Sequence, residues 1–326
     1  MTKVGFLGLG LYLPSRRMTN FDLEKIVETS DEWIRTRTGI VERRIAANNE
    51  RTSDLAIKAA QEALKDSKIS ADKIDLIIVA TISPDSSFPS MACKVQKAIG
   101  AKKAAAFDVS AACSGYLYAM TTAKQFIQTG MATNALVVAA DRITNLIDWK
   151  DRNTCVLFGD GAGACVLGKV KSGGITADFL QAFGDQGDLM HVVAEEPHSP
   201  LHPHKDTAQK SPYVVMHGQE LFKMAVNSMG DAVEAVLKKA KLKVSDVDCI
   251  VPHQANDRII SAVANKLKFP KDKIFINIDK YGNMSAASIA VALYEAVKSG
   301  RIKKGDNVVL VAFGAGLVSG ANVVKW

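Results

Sequence analysis

Little in this chain supports a covalent, metal-bound or membrane-spanning framework. Its five cysteines are an odd number at irregular spacing, with no CxxC pair. That excludes a regular disulfide scaffold, offers no zinc pattern and fits a reducing compartment. Aromatic residues make up only 6% of the chain, and no dense Lys/Arg run alternates with them, so no nucleic-acid surface is expected. No apolar run approaches the length of a membrane span. Met1-Thr-Lys-Val-Gly-Phe6 enters a strand pattern directly, without a charged segment followed by an apolar core. A soluble, cytoplasmic protein is expected.

What is present is the composition of a core-forming enzyme-sized chain. Hydrophobic residues are 48% of 326, enough for one large domain or two ordinary ones. The 41 Lys and Arg outnumber the 34 Asp and Glu, giving a net charge of +7. A modest positive field suits an acidic partner or a phosphorylated substrate.

Periodicity predicts a first strand over 3–9, a short helix from Asp22 to Thr29, a turn opening at Ser30, and a basic turn at Arg35-Thr-Arg37-Thr-Gly39. Leu55, Ala56, Ala59, Ala60 and Leu64 lie at helical spacing within an amphipathic helix from Ser53 to Lys65. Ile74–Ala80 is too continuously apolar for a half-exposed strand. A helix near 89–99 follows, then strands at Ala135–Ala140 and Ala164–Lys169. Pro and His crowd 191–212, which reads as a long loop.

The second half then repeats the first. The helix Leu221–Ala240 and the strand ending at Val251 match the helix and strand that end at Ala80. Phe275-Ile-Asn-Ile-Asp279 leads into a helix from Ala286 to Ser299, as Phe107-Asp-Val109 leads into one near Ser114. Asp75 to Asn134 and Asp248 to Asn307 both span 59 positions. The expected fold class is α/β, with two largely parallel units, residues 1–172 and 173–326, packed about a pseudo-twofold axis. A site would form where strand ends of both halves meet.

Three polar residues fall at such ends. Cys113, in Ala111-Ala-Cys-Ser-Gly115, sits where a buried strand turns into a helix, and a helix N-terminus lowers a thiol pKa. His253 follows the strand that matches Ile74–Ala80. Asn283 precedes the second-half helix. Singly these read as a buried cysteine, a core histidine and a helix cap. Together Cys, His and Asn form a nucleophilic constellation. A papain-like hydrolase uses the same three residue types, but the strand–helix duplication and the absence of a Cys-Trp pair speak against it.

The chain resembles the 3-oxoacyl-acyl-carrier-protein synthase III family. The stretches that carry the resemblance are Thr29-Ser-Asp-Glu-Trp-Ile34, Thr36-Arg-Thr-Gly-Ile40, Ala111-Ala-Cys-Ser-Gly115, Phe158-Gly-Asp-Gly-Ala-Gly163, His253-Gln-Ala-Asn256, Gly282-Asn-Met-Ser-Ala-Ala-Ser288 and Ala312-Phe-Gly-Ala-Gly316. The resemblance implies a thiolase-like duplicated βαβ core in five αβαβα layers, working as a homodimer. It implies acyl transfer from acyl-CoA to Cys113, then decarboxylative condensation with malonyl-acyl carrier protein. CoA thioester is a substrate there, and no cofactor or metal is implied. His253 and Asn283 would donate to the malonyl thioester oxygen. Backbone N–H groups of Cys113 and of Ala315 or Gly316 would form the oxyanion hole. Thr29, Trp33, Arg37, Arg152, Gly218, Phe222, Ala255, Asn256 and Ile259 map to the CoA site. Phe313 maps beside the malonyl group, and Phe88 to a crossing of the dimer interface that caps the partner's acyl pocket. Lys223, Arg258 and Lys266 would form a basic rim for the carrier protein.

Three departures stand out: Met284 where the family usually has Thr, Val318-Ser319-Gly320 where it often has Thr-Trp-Gly, and the long 191–212 loop. They are expected to touch pocket shape and rim. They keep open a specialised relative that takes longer or aromatic acyl-CoA in secondary metabolism. His198, His202 and His204 in that loop read as solvated. Gly159, Gly161 and Gly163 are not spaced as a dinucleotide fingerprint and read as a tight turn for close packing. Cys155, Cys165 and Cys249 read as inert core.

Overall fold

The computed structural model describes residues 2–193 and 211–326. In chain order the first half holds β1 (Val4–Tyr12), β2 (Arg16–Thr19), α1 (Asn20–Leu23), α2 (Asp31–Thr38), β3 (Glu42–Ile45), α3 (Thr52–Ser67), β4 (Leu76–Ala80), α4 (Met91–Ile99), β5 (Ala105–Val109), α5 (Gly115–Gln128), β6 (Asn134–Asp141), α6 (Arg152–Cys155) and β7 (Gly161–Lys169). The second half holds β8 (Gly174–Ala182), β9 (Met190–His191), β10 (Val215–Met216), α7 (Gly218–Ala240), β11 (Cys249–Pro252), α8 (Asp257–Leu267), α9 (Ile278–Tyr281), α10 (Ala287–Lys298), β12 (Asn307–Gly314) and β13 (Val318–Lys325).

Two sheets carry the architecture. The first runs β1-β7-β6-β4-β5 and the second β11-β12-β13-β8. In the first, β4 runs parallel to both β5 and β6, and β7 and β1 extend the sheet antiparallel; in the second, the parallel pair β11 and β12 is extended by antiparallel β13 and β8. Alternation along the buried strands explains the layers. Leu76, Ile78 and Ala80 face α5 and α10, as do Cys249, Val251, Val308, Leu310 and Ala312 from the other sheet. Ile77 and Val79 face α3 and α4. Ile250, Val309 and Val311 face α7 and α8. The result is five layers: α3/α4, sheet, α5/α10, sheet, α7/α8.

The repeat is less complete than the sequence suggests. Phe275–Asp279 does not form a fifth strand in the second sheet. A single bridge joins Ile250 to Ile274, the Phe275 N–H reaches the Ile250 carbonyl at 2.9 Å, and α9 begins at Ile278. The Gln254 side chain takes up backbone groups freed there. Its Nε2 donates to Phe275 O at 3.1 Å, and its Oε1 accepts the Asn277 N–H at 3.0 Å.

Near the N-terminus, the helix expected over Asp22–Thr29 is instead the four-residue α1, held by a capping box between Thr19 and Asp22. The basic turn at 35–39 is the end of α2, which Ser30 opens through its hydroxyl and Gly39 closes with a left-handed φ of 80°. Residues 194–210 lie outside the described ones, and with them most of the 191–212 loop and His198, His202 and His204. No described helix is long and apolar enough to cross a membrane.

Candidate active site

The duplication aims both sets of strand ends at one cleft of about 490 Å³. Cys113, His253, Asn283, Phe313 and Gly314 line its floor, with Val156, Leu157 and Phe158 on one wall.

Cys113 lies in a short 3₁₀ turn, Ala112–Ser114, that runs straight into α5. Ala112 before it takes a left-handed φ of 42°. Gly314 packs directly on the cysteine, since a Cβ there would stand 2.6 Å from the Cys113 nitrogen. Only glycine lets β12 approach so closely. The thiol itself corrects an expectation. Burial pushes the Cys113 thiol up to about 12, with the Asp141 carboxylate adding to the rise and the Ser285 hydroxyl opposing it. Desolvation of the buried sulfur is the largest cause, and the Asp141 carboxylate adds to it.

His253 follows β11 directly. Its N–H donates to Val311 O at 2.7 Å. By register His253 matches Ala80, one residue before the expected Thr81. Burial lowers the imidazole to about 3, so it is neutral, and its Nδ1 has no partner among the described residues. A neutral ring of this kind keeps one N–H to donate.

Asn283 is fixed from both sides. Its N–H donates to Leu157 O at 2.8 Å and its carbonyl accepts the Gly159 N–H at 3.0 Å. Its Oδ1 accepts the Ser285 N–H at 2.8 Å. The three glycines of the 158–163 motif make this possible. Cβ atoms on Gly159, Gly161 and Gly163 would fall 2.4–2.5 Å from Tyr281 O, Met284 Sδ and Ala290 Cβ respectively. They form a bare ridge on which the Asn283 segment and α10 sit, in line with the close-packing reading.

Trp33, Arg37, Gly218, Phe222, Ala255, Asn256 and Ile259 line the mouth. Arg152 does not line it but stacks its guanidinium 4.9 Å over the Trp33 ring. Asn256 caps α8 through Oδ1 and donates Nδ2 to Arg37 O at 3.0 Å, tying the two halves together at the opening. Thr29 lies outside the lining, with a buried, unpartnered hydroxyl. Phe88 is 86% exposed and away from the cleft of its own chain. Ala315 and Gly316 follow Gly314 in the turn between β12 and β13. Arg258 is exposed and stacks 5.8 Å from Phe222. Lys223 is exposed on α7. Lys266 is committed instead to Asp231 at 2.7 Å and to Asn227 O.

Met284 does not shape the cleft. It is buried with Tyr281, Ala287 and Val291 behind the Asn283 segment. Ser319 is buried too, and neither residue 318 nor 319 lines the cleft. Neither of these two departures lines the cleft. Cys155, Cys165 and Cys249 are buried core thiols, with pKa values raised by burial to about 11, 12 and 11. Among the described residues no group of three His, Cys, Asp or Glu could hold a metal ion.

Two residues escaped the sequence reading. Asp141 ends β6 fully buried, and Ser285 is fully buried with a left-handed φ of 51°. A lone Asp closing an apolar strand was the available signal for Asp141. Ser285 lay inside a motif read for its asparagine.

The comparisons with known proteins agree with this geometry. A family model for 3-oxoacyl-[acyl-carrier-protein (ACP)] synthase III matches residues 107–184, and one for the C-terminal part of that family matches residues 237–326. A beta-ketoacyl-[acyl-carrier-protein] synthase III of Clostridioides difficile is 53% identical over 100% of this chain and 99% of its own. One from Caldanaerobacter subterraneus is 52% identical over 99% and 97%. The crystal structure of a 3-oxoacyl-[acyl-carrier-protein] synthase III from Aquifex aeolicus superposes with a TM-score of 0.92 at 48% identity, covering 100% of both chains. The five layers are thus those of a thiolase-like fold, and the papain-like alternative is set aside. The chain belongs to the beta-ketoacyl-[acyl-carrier-protein] synthase III family of acyltransferase-type condensing enzymes.

Proposed function

We propose that the cleft joins an acyl-CoA primer, acetyl or another short acyl group, to malonyl-acyl carrier protein, the first condensation of fatty acid synthesis. The carrying observation is the meeting of Cys113, His253 and Asn283 on one cleft floor, with the Asn283 Nδ2 free to donate. In the first half-reaction the Cys113 sulfur attacks the thioester carbonyl and CoA leaves. In the second, the malonyl C–C bond to carboxylate breaks and CO₂ departs. The electron pair then resides on an enolate whose oxygen His253 and Asn283 stabilise. The enolate carbon attacks the Cys113 thioester, and the thiolate is expelled. Preorganised donors of this kind supply a large share of catalysis. The oxyanion in each acyl step falls to the N–H groups of Cys113 and of Ala315 or Gly316.

The substrate ends follow from the mouth. Trp33 offers adenine the face that Arg152 leaves open, and Arg37 offers a phosphate its guanidinium. Gly218, Phe222, Ala255, Asn256 and Ile259 complete the CoA site, and Thr29 lies behind its lining. Phe313 borders the malonyl group. Among the described residues no ion pair holds Arg258 or Lys223 of the rim, whereas Lys266 is held by Asp231. The working unit is a homodimer, in which the exposed Phe88 reaches the partner's acyl pocket and the edge strand β5 finds cover. Residues 1–172 and 173–326 are the duplicated halves. No cofactor takes part, and the cytoplasm is the expected compartment.

Intact-mass measurement after incubation with a panel of acyl-CoAs tests the reading. One short acyl group should be added, on the peptide holding Cys113. Acylation that persists in Cys113→Ala would overturn it.

A further inference from the structure

A thiol pushed up to about 12 does not ionise at neutral pH by itself, and His253, lowered to about 3, is a poor acceptor for its proton. The structure holds another group beside the sulfur. Asp141 is fully buried at the end of β6. Its Oδ1 accepts three bonds: from Thr81 Oγ1 at 3.0 Å, the Ile82 N–H at 2.9 Å and Ser83 Oγ at 2.9 Å. Among the described residues its Oδ2 receives the Ala286 N–H, at 3.3 Å, and no second bond of regular geometry. The underused oxygen therefore faces the segment that carries Ser285. The Ser285 hydroxyl acts on both the Cys113 thiol and the Asp141 carboxylate, yet it forms no bond of regular geometry to either. It is a fully buried donor held between two groups, free to turn to one or the other.

We propose that Ser285 is a further catalytic residue of the acylation half-reaction, relaying the Cys113 proton to Asp141. The idea rests on the acyl-Cys113 reading above. The Cys113 S–H bond breaks and its proton passes to Ser285 Oγ, while the Ser285 proton passes to Asp141 Oδ2. The sulfur electron pair attacks the acyl-CoA carbonyl, and the C–S bond to CoA breaks. The departing CoA thiolate takes the proton back by the same route, leaving Asp141 ionised and Cys113 acylated.

Charge argues for this path. Moving the proton from sulfur to carboxylate shifts one negative charge within a buried cluster, where ionising the thiol to solvent would add a second. Burial also raises the Asp141 pKa, which makes it a better base than an exposed carboxylate. The groups facing this pair are the Thr81 and Ser83 hydroxyls from the end of β4, Ser285 and the Ala286 N–H from the Asn283 segment, and neutral His253 across the cleft. Among the described residues the hydrogen bonds to Asp141 come from hydroxyls and backbone N–H groups, and no Lys or Arg forms an ion pair with it. Arg142, next in the chain, acts on Asp160 instead.

The test is the pH profile of acylation, followed by intact mass with the acyl-CoA that loads the wild type. Ser285→Ala should lose about a hundredfold at neutral pH, within the usual range for a proton-transfer group. It should regain roughly tenfold per pH unit toward the thiol pKa, since hydroxide then does the ionising. Ser285→Gly, which removes the left-handed strain, should show the same profile, and so should Asp141→Asn if it folds. Wild-type acylation at neutral pH in Ser285→Ala, or a loss equal at every pH, would overturn the relay. A high-pH recovery found in His253→Ala but not in the Ser285 variants would make His253 the base. Failure of the wild type to acquire any acyl group would instead count against the acyl-Cys113 reading.

Discussion

Asn283 Oδ1 accepts the Ser285 N–H at 2.8 Å, and that bond decides which end of the amide faces the cleft. A backbone N–H can only donate, so the oxygen is committed and the two Nδ2 hydrogens are left for substrate.

Asn283→Ala should therefore acylate at Cys113 within a few-fold of wild type but release CO₂ from malonyl-carrier protein about a hundred- to a thousandfold more slowly. Asn283→Asp keeps the acceptor for Ser285 but offers oxygen where the enolate needs a donor, and should be no better than Ala. Labelled malonyl substrate reports CO₂ directly. Normal release in Asn283→Ala would place the donor elsewhere.

His253 makes a prediction about stability. Its folded pKa, about 3, lies below the unfolded value near 6.5. Between those values the unfolded chain binds a proton that the native site refuses, so stability falls as pH drops through that window and is fully present above it. The limiting slope is about 1.4 kcal/mol per pH unit. His253→Gln removes this contribution. Denaturation midpoints of the wild type and the variant should therefore converge, or cross in favour of the variant, from pH 7 to pH 4. A gap that stays constant with pH would show that the imidazole titrates normally.

Much of this was legible in advance because burial writes itself into periodicity. The continuously apolar Ile74–Ala80 and the 59-residue spacing shared by Asp75/Asn134 and Asp248/Asn307 carried the duplication and the meeting of Cys113, His253 and Asn283. What failed was local compensation. Phe275–Asp279 has strand composition, but the Gln254 amide replaces its ladder bonds, and no pattern encodes that exchange. The thiol pKa differs from the expectation because a helix N-terminus is visible in sequence, while the burial of the sulfur and the Asp141 carboxylate arriving from β6 are not.

The glycine ridge can be tested through Gly159. A methyl group there meets Tyr281 O at 2.5 Å, backbone that cannot swing aside, while Gly159 N–H and Asn283 O hold the segment in place. Gly159→Ala should cost about 1–3 kcal/mol of stability. By displacing Asn283, it should also slow decarboxylation more than acylation. Equal slowing of both steps would mean that the ridge supports the fold alone.

At the mouth, Arg152 and Trp33 form one unit, guanidinium 4.9 Å over indole. Trp33→Ala removes both the stacking face and the support of Arg152. The apparent KM for acyl-CoA should rise about tenfold or more, with the KM for malonyl-carrier protein changed little. Equal rises in both would assign Trp33 a packing role.

The rim cations divide by what already holds them. Lys266 donates to Asp231 at 2.7 Å and to Asn227 O, whereas Arg258 is exposed and rests its guanidinium 5.8 Å from Phe222, at the edge of the cleft. A cation already neutralised at short range contributes little to a long-range field, while an unpaired one at the mouth contributes most of its charge. Arg258→Glu should therefore slow turnover with malonyl-carrier protein by about tenfold or more at low salt, with the deficit shrinking as ionic strength rises and acylation by acyl-CoA nearly unchanged. Lys266→Ala should change carrier turnover less than twofold and cost under about 1 kcal/mol in stability, the usual scale for an exposed pair. The measurement is carrier-dependent kcat/KM for both variants across a salt series. If Lys266→Ala proved as damaging as Arg258→Glu, the Asp231 pair would have to open on docking, and the rim would extend further along α8 than Arg258. If Arg258→Glu slowed both half-reactions equally at every salt concentration, Arg258 would belong to the CoA mouth and the carrier would dock elsewhere.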